Sequence, residues 1–372
     1  MKRENEMTQD ISPQASAQRL LSLDFFRGLT MLLLIGKSSG LYRLLQASDN
    51  GILSFIGFQF EHHPWNGLTF WDFVEPFFMF IVGVAIPFSA LKRLERGDPW
   101  KKILLHAVER SAWLFMLGII YYSISAGRPV WKLWNVLTQL GFTYIVAFLL
   151  MRKPIKVQVA VSFGFLLLSE LLYRFWPVEG FNQAFVPAQN FGTWVDLQLM
   201  GMTEKGYWVA FNAVPTAAFT IWGVVAGLIL RSERTSNQKL KILIIAGLIG
   251  IALGFALDPI TPIVKRIATS SYVIETGGWC LVALAFSYWM VDLKKIQKVP
   301  KFFAIVGMNC LFIYLFDQFG GASLLIKIAK PFTYALFFWS PVLLPYATAF
   351  AAWFLLWYMC YWLYKNKILI KI

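Results

Sequence analysis

Charge is scarce in this 372-residue chain: only 15% of residues are charged, while 58% are hydrophobic. A soluble domain averages nearer half apolar and a quarter charged, so the shortage argues against a soluble fold. Cysteine is scarce too. Cys280, Cys310 and Cys360 all fall inside apolar runs with no close pair, which leaves no disulfide framework and no cysteine metal site to read. Histidine occurs three times. His62 and His63 are neighbours, but no further His or Cys stands beside them, so a zinc site has little support and no metal is expected. The ten-residue alternating segments of a transmembrane barrel are missing. So are an internal repeat and a linker to a separate soluble domain, which leaves the inverted-repeat transporter pattern unsupported.

What is present is a series of apolar runs, several of about 18 residues or more, long enough to span the hydrocarbon core as helices. The expected class is an all-α polytopic membrane protein. Ten spans can be read, near 22–44, 70–91, 103–124, 133–151, 157–176, 208–230, 240–257, 272–292, 302–326 and 341–364. The net charge of +14 would suggest nucleic acid in a soluble protein. Here the positive-inside rule accounts for it, and no nucleic-acid partner is expected. Alternate connections together carry 22 Lys and Arg on one side and 7 on the other. That split predicts cytoplasmic termini and places the histidine-bearing loop, 45–69, on the extracytoplasmic side. Residues 1–20 read as a polar cytoplasmic tail without the apolar core of a signal peptide, and 21–372 as a single transmembrane domain.

Ionisable side chains inside spans are costly and point to function or to a partner. Toward the cytoplasmic ends lie Asp24, Arg27, His106, Glu109 and Arg110; toward the outer ends lie Lys37, Asp72, Glu75 and Glu275. Asp24 and Arg27, three apart, can share a helix face, so a local ion pair competes evenly with a ligand role. Lys37 stands about 10 Å inside the first span and Glu75 about 7 Å inside the second, from the helix rise, so the two are expected to pair.

The stretch "FQFEHHPWNGLTFWDFVEPFF" (58–78) sets two histidines beside Asp72 and Glu75 at the mouth of an apolar segment. A loop histidine is usually just solvated. A carboxylate following on the adjoining helix can instead orient an imidazole and raise its basicity, as a general base requires. Pro64 restricts His63 to an extended backbone, which predicts that the two rings diverge. His62 is expected to titrate near neutrality, shifted by Asp72.

"RLLSLDFFRGLTMLLLI" (19–35) and "HHPWNGLTFWDFVEPFFMFIVGVAI" (62–86), followed by "VLTQLGFTY" (136–144), "PIVKRIATSSYVIETGG" (262–278) and "GMNCLFIY" (307–314), resemble the heparan-alpha-glucosaminide N-acetyltransferase family and its bacterial homologues. The resemblance covers most of the chain in five ordered motifs. It implies an acyltransferase of a bacterial-type inner membrane, with its active site on the extracytoplasmic side. Such an enzyme takes acetyl-CoA from the cytosol and moves the acetyl group to an amino sugar or related glycan; a homodimer is left open. The family's active-site histidine stands three residues before the Trp of Trp-Asn-Gly, which here is His62. His62 would be general base or acetyl-accepting nucleophile, Asp72 its orienting partner, and Asn66 or a backbone amide of 65–67 an oxyanion donor. Trp65, Ser38, Lys37, Glu75 and Lys265 are the acceptor-side candidates. Arg27, Asp24, Arg110 and Gln139 are candidates for holding acetyl-CoA. The sequence departs from the family pattern at Ser38, at Thr138 and Gln139, at Val264 and at Glu75. The rival class is a transporter or flippase for a sugar or lipid-linked sugar.

Overall fold

The computed structural model describes residues 20–296 and 298–370, so the expected tail lies, up to residue 19, outside the described residues. Its regular elements are all helical. In lipid every backbone polar group must be satisfied within the segment, which a helix achieves alone.

Helix α1 (Leu21–Ser38) ends at a turn where Gly40, at φ 84°, redirects the chain into the short α2 (Leu41–Gln46). The first expected span, drawn to residue 44, therefore stops at Ser38. Helix α3 (Gly51–Gln59) starts at Asn50, whose side chain accepts from the amides of Ile52 and Leu53. The histidine loop then runs into a 3-10 turn, Phe70–Phe73, that leads directly into α4 (Val74–Glu95). Helices α5 (Trp100–Ala126), α6 (Val136–Leu150) and α7 (Ile155–Phe175) follow. The long connection after α7 contains α8 (Phe191–Met200) and precedes α9 (Ala213–Arg231), α10 (Ser236–Leu257) and α11 (Ser270–Tyr288). Helices α12 (Lys298–Met308) and α13 (Cys310–Gln318) meet at Asn309 with a bend of 61°. Helices α14 (Gly321–Phe337) and α15 (Leu343–Lys365) complete the fold. The ninth expected span, 302–326, is thus broken at Asn309 and ends at Gln318.

Among the described residues, seven helices are long and apolar enough to cross a membrane, and eight if the bent α12–α13 pair counts as one span. Of the other expected spans, α6 is apolar but has only 15 residues, and α1 carries Asp24, Arg27 and Lys37 within its 18.

Burial separates a centre from a periphery. The segments built on α4 and α9 are 61% and 67% buried within the protein, against 17% for α10 and 22% for both α5 and α7. Peripheral helices that are apolar all round and little buried have their remaining faces for lipid. The centre is tight because small residues let backbones approach. A Cβ at Gly83 of α4 would lie 2.1 Å from the Thr220 carbonyl of α9, and one at Gly223 of α9 would lie 2.2 Å from the Phe80 carbonyl. This rigid pair holds the start of α4, and with it Asp72, against α11, where the Tyr272 hydroxyl donates to the Asp72 carbonyl at 2.9 Å.

Candidate active site

Asp72 is built into the backbone before it can act on anything else. It occupies the third position of the 3-10 turn, and with Thr69 it forms a reciprocal capping box. Its Oδ2 accepts from the Thr69 amide at 3.1 Å, the Thr69 hydroxyl at 3.0 Å and the His63 amide at 3.2 Å. Its side chain is only 1% exposed, and the remaining oxygen, Oδ1, lies 3.0 Å from Nδ1 of His62. A carboxylate oxygen can only accept, so Nδ1 carries the proton and Nε2 keeps a free lone pair.

Lys265 comes to the same point from the far side of the chain. Its ammonium is 3.4 Å from His62 Nδ1, 3.6 Å from Asp72 Oδ1 and 3.7 Å from Glu75 Oε2. Because Nδ1 already donates to Asp72, Lys265 is held by the two carboxylates and acts on the imidazole through its charge. It reaches this position because the loop before α11 is zipped to the histidine loop. Asn66 pairs through its backbone with Val264, and the Gly67 amide donates to the Ile263 carbonyl at 2.9 Å. Gly67 is needed there twice over: its φ is 132°, and a Cβ would come within 2.7 Å of the His63 ring.

The two histidines part as the proline suggested. His62 lines a cavity of about 370 Å³. His63 packs against Gly67, and its Nδ1 is buried without a hydrogen-bond partner among the described residues. Burial first, and the neighbouring Lys265 charge second, push the His62 imidazolium down to about 4, with Asp72 opposing both. The expected titration near neutrality is therefore corrected: a cation within 3.4 Å and partial removal from water outweigh one carboxylate.

The cavity is lined by Met31, Leu34, Phe78, Val136, Tyr314 and Gln139, and by Trp71, Trp208, Glu75 and Glu204 together with His62 and Lys265. Gln139 is 3% exposed and its Oε1 has no partner among the described residues. Asn135 and Tyr122 also line the wall. Among the described residues no group of three or more His, Cys, Asp or Glu side chains is placed to hold a metal ion.

Of the residues singled out from sequence, the structure gathers His62, Glu75, Lys265 and Gln139 on one cavity, with Asp72 directly behind His62. Others are placed elsewhere. Trp65 donates through its indole to the Phe185 carbonyl at 2.8 Å and packs edge-on to Tyr207. Asn66 is exposed and off the cavity wall. Ser38 donates to Asp317 at 2.6 Å, across the bundle from α1 to α13. Lys37 does not meet Glu75 as expected. It pairs with Glu61 at 2.9 Å and lies 4.6 Å over the Trp71 ring, while Glu75 goes to Lys265. Equal depth brought the two to the same level, but the helix faces they occupy set different neighbours.

At the other end of the bundle, Arg27 pairs with Asp24 at 3.4 Å, the local pair that the spacing allowed. The Arg110 guanidinium lies 5.0 Å over the Tyr144 ring. A crevice of about 10 Å³ separates α4, α5 and α6 there, lined by Arg93, His106, Tyr144 and Phe148.

Residues of the site missed in the sequence include Trp71, Trp208, Glu204, Asn135, Tyr122 and Trp134. Trp208 packs edge-on to the His62 ring at 5.3 Å, and Trp71 sits at 6.3 Å from it. Nothing local to the chain around 204–208 signals this, since the contact exists only once the segment after α8 folds back over the histidine loop.

No protein-family model matches the chain. It is 25% identical over 379 aligned positions to the heparan-alpha-glucosaminide N-acetyltransferase of Mus musculus, covering 84% of this chain and 56% of that protein. To the enzyme of the same name from Homo sapiens it is 26% identical over 360 positions, covering 80% of this chain and 52% of that protein. The chain is a distant relative of these N-acetyltransferases. It spans about half the length of the curated relatives it matches.

Proposed function

We propose that the protein is a multi-pass acetyltransferase of a bacterial-type inner membrane, a single transmembrane domain over 21–372 with ten spans and cytoplasmic termini. It moves an acetyl group from cytosolic acetyl-CoA to an amino sugar or related glycan on the extracytoplasmic side. The observation that carries this is the His62–Asp72 couple at 3.0 Å, with His62 and Lys265 on the wall of one cavity shared by aromatic, apolar and polar side chains. A transporter would concentrate polar residues and broken helices around a midplane site.

The chemistry follows from the tautomer. With Nδ1–H on Asp72, Nε2 is the group available to the cavity, and its low proton affinity leaves it unprotonated near neutral pH. In direct transfer, Nε2 takes a proton as the acceptor nitrogen attacks the thioester carbon. The C–N bond forms, the C–S bond breaks, and CoA leaves as the thiolate. In the two-step route, Nε2 itself attacks the thioester and acetyl-imidazole is then aminolysed. In both, the imidazolium or acyl-imidazolium that forms is stabilised by the buried Asp72 charge. Lys265, 6% exposed and on the cavity wall, is better placed than the exposed Asn66 to stabilise an oxyanion.

Gln139 offers an amide N–H of the pantetheine arm an acceptor that has no partner among the described residues. Arg110 and the Asp24–Arg27 pair are the inner-end groups for the CoA phosphates. The arm would cross from the crevice at Tyr144 to the cavity at Gln139, five residues along α6 and about 7.5 Å by helix rise. The test is purified protein incubated with labelled acetyl-CoA and a panel of amino sugars. Label on the sugar amine is the expected result. Sugar uptake into proteoliposomes with no label transferred would replace this proposal with the transporter.

A further inference from the structure

The segment between α8 and α9 was silent in the sequence, yet it supplies one wall of the cavity. Gly201, at φ 66°, ends α8 and releases the chain, and the segment is fixed at its far end by Asp196. That buried carboxylate accepts from the Ala210 amide at 2.9 Å and from the Trp134 indole at 2.7 Å. One side chain thus pins both the strap and a second wall residue, since Trp134 lines the same cavity. In between, the chain makes a turn in which the Tyr207 amide donates to the Glu204 carbonyl at 3.0 Å and the Gly206 amide donates to the Glu204 side chain. Arg266 ties the turn to the loop that carries Lys265 by donating to the Gly206 carbonyl.

Two side chains are delivered by this construction. Trp208 is held with Lys265 at 5.6 Å and Arg266 at 5.8 Å over its ring, beside His62. Glu204 lines the cavity and makes no ion pair among the described residues. Of the carboxylates around the cavity, Asp72 and Glu75 share Lys265 and Glu61 has Lys37, so Glu204 is the one whose charge is left for a ligand.

We propose that the strap over residues 202–209 is the acceptor subsite, with Trp208 as the platform for a sugar ring and Glu204 as the acceptor of its hydroxyl hydrogen bonds, selecting an amino pyranose that bears no acidic substituent. The proposal rests on the acetyltransferase reading for which substrate lies there, but its chemistry is separable from transfer. A pyranose presents one face of C–H groups that packs on an indole, and vicinal hydroxyls that a carboxylate can accept together. A sulfate or uronate on the same ring would face the unpaired Glu204 charge across a small, partly dry cavity, where like charges repel strongly.

The experiment is calorimetric titration of the purified full-length protein with glucosamine and with glucosamine 6-sulfate, without acetyl-CoA, so that no chemistry is required. The wild-type protein is expected to bind glucosamine about tenfold or more tighter than the sulfated sugar. E204Q should narrow that preference to within about threefold, and W208A should weaken both sugars by about tenfold while W208F keeps most of the affinity. Absence of glucosamine binding, an equal or stronger affinity for the sulfated sugar, an unchanged preference in E204Q, or wild-type binding in W208A would each overturn the subsite. Binding that behaves as expected in a protein that transfers no acetyl group would leave the subsite standing and remove the acetyltransferase.

Discussion

At the end of the bundle where α4 begins, the Lys265 ammonium lies within 3.7 Å of His62, Asp72 and Glu75 beside a cavity of about 370 Å³. At the opposite end, the charged residues are served one at a time: Arg27 by Asp24, Lys102 by Asp98, Arg231 by Glu95, and Arg110 by the face of Tyr144. The crevice there measures about 10 Å³. Costly buried charge is tolerated at both ends, but only at the first does it converge on a space that could hold a reacting molecule. Local pairing and convergence are different uses of the same residue types. Each can be broken separately.

The largest effect is expected at the converging end. His62→Ala should reduce acetyl transfer by at least about 10²-fold, the range for loss of a general base, with a larger loss if the imidazole is acylated. His63→Ala, at a ring that is off the cavity wall, should cost less than about tenfold at matched expression, measured with labelled acetyl-CoA. A dead His63 variant, or two active ones, would show that the site is elsewhere.

Next comes Lys265→Met, which removes the second-largest of the causes holding the His62 imidazolium low, after burial and ahead of the Lys37 charge. Activity of the wild-type protein depends on unprotonated Nε2, so it is retained above pH about 6 and lost only as pH falls through about 4. In the variant the acid limb should move toward neutrality, alongside a fall in rate if Lys265 also stabilises the oxyanion. The same shift acts on stability. The unfolded histidine binds its proton near 6.5 and the folded one near 4, so this contribution is present above about 6.5 and declines as pH drops toward 4. An unmoved acid limb would mean that Lys265 does not set the charge state of His62.

The smallest effect concerns which charges pair. Lys37→Met combined with Glu61→Gln should show a coupling of about 1 kcal/mol or less in detergent unfolding, since both side chains are partly exposed. Lys37→Met combined with Glu75→Gln should be additive within about 0.5 kcal/mol. The reverse pattern would restore the pairing read from depth.

The apolar runs and the 22-to-7 charge split made the helical membrane class legible, because length and composition alone decide whether a segment can cross lipid. The His62–Asp72 couple was legible because ten residues and a helix start separate the two, a distance over which local geometry is predictable. Lys37 was mispaired because depth along a helix says nothing about rotation around it, and the loop residue Glu61 had no assignable position. Ser38 finds Asp317 across 279 residues, and Trp208 finds His62 through a fold-back of the strap; both depend on tertiary packing alone. The low proton affinity of His62 was hidden for the same reason, since it comes first from burial in the folded cavity and second from Lys265 arriving from the loop before α11.

Reconstituting the protein in sealed vesicles, with its orientation fixed by labelling of cysteines placed at residues 50 and 97, tests the transfer across the bilayer. Acetyl-CoA is supplied on the residue-97 side and a labelled amino sugar on the residue-50 side, and then the two are exchanged. Acetylated sugar should form in the first arrangement and not in the second, and His62→Ala should abolish it. Equal product in both arrangements, or product only in the second, would contradict an outer-face site fed from the cytosol.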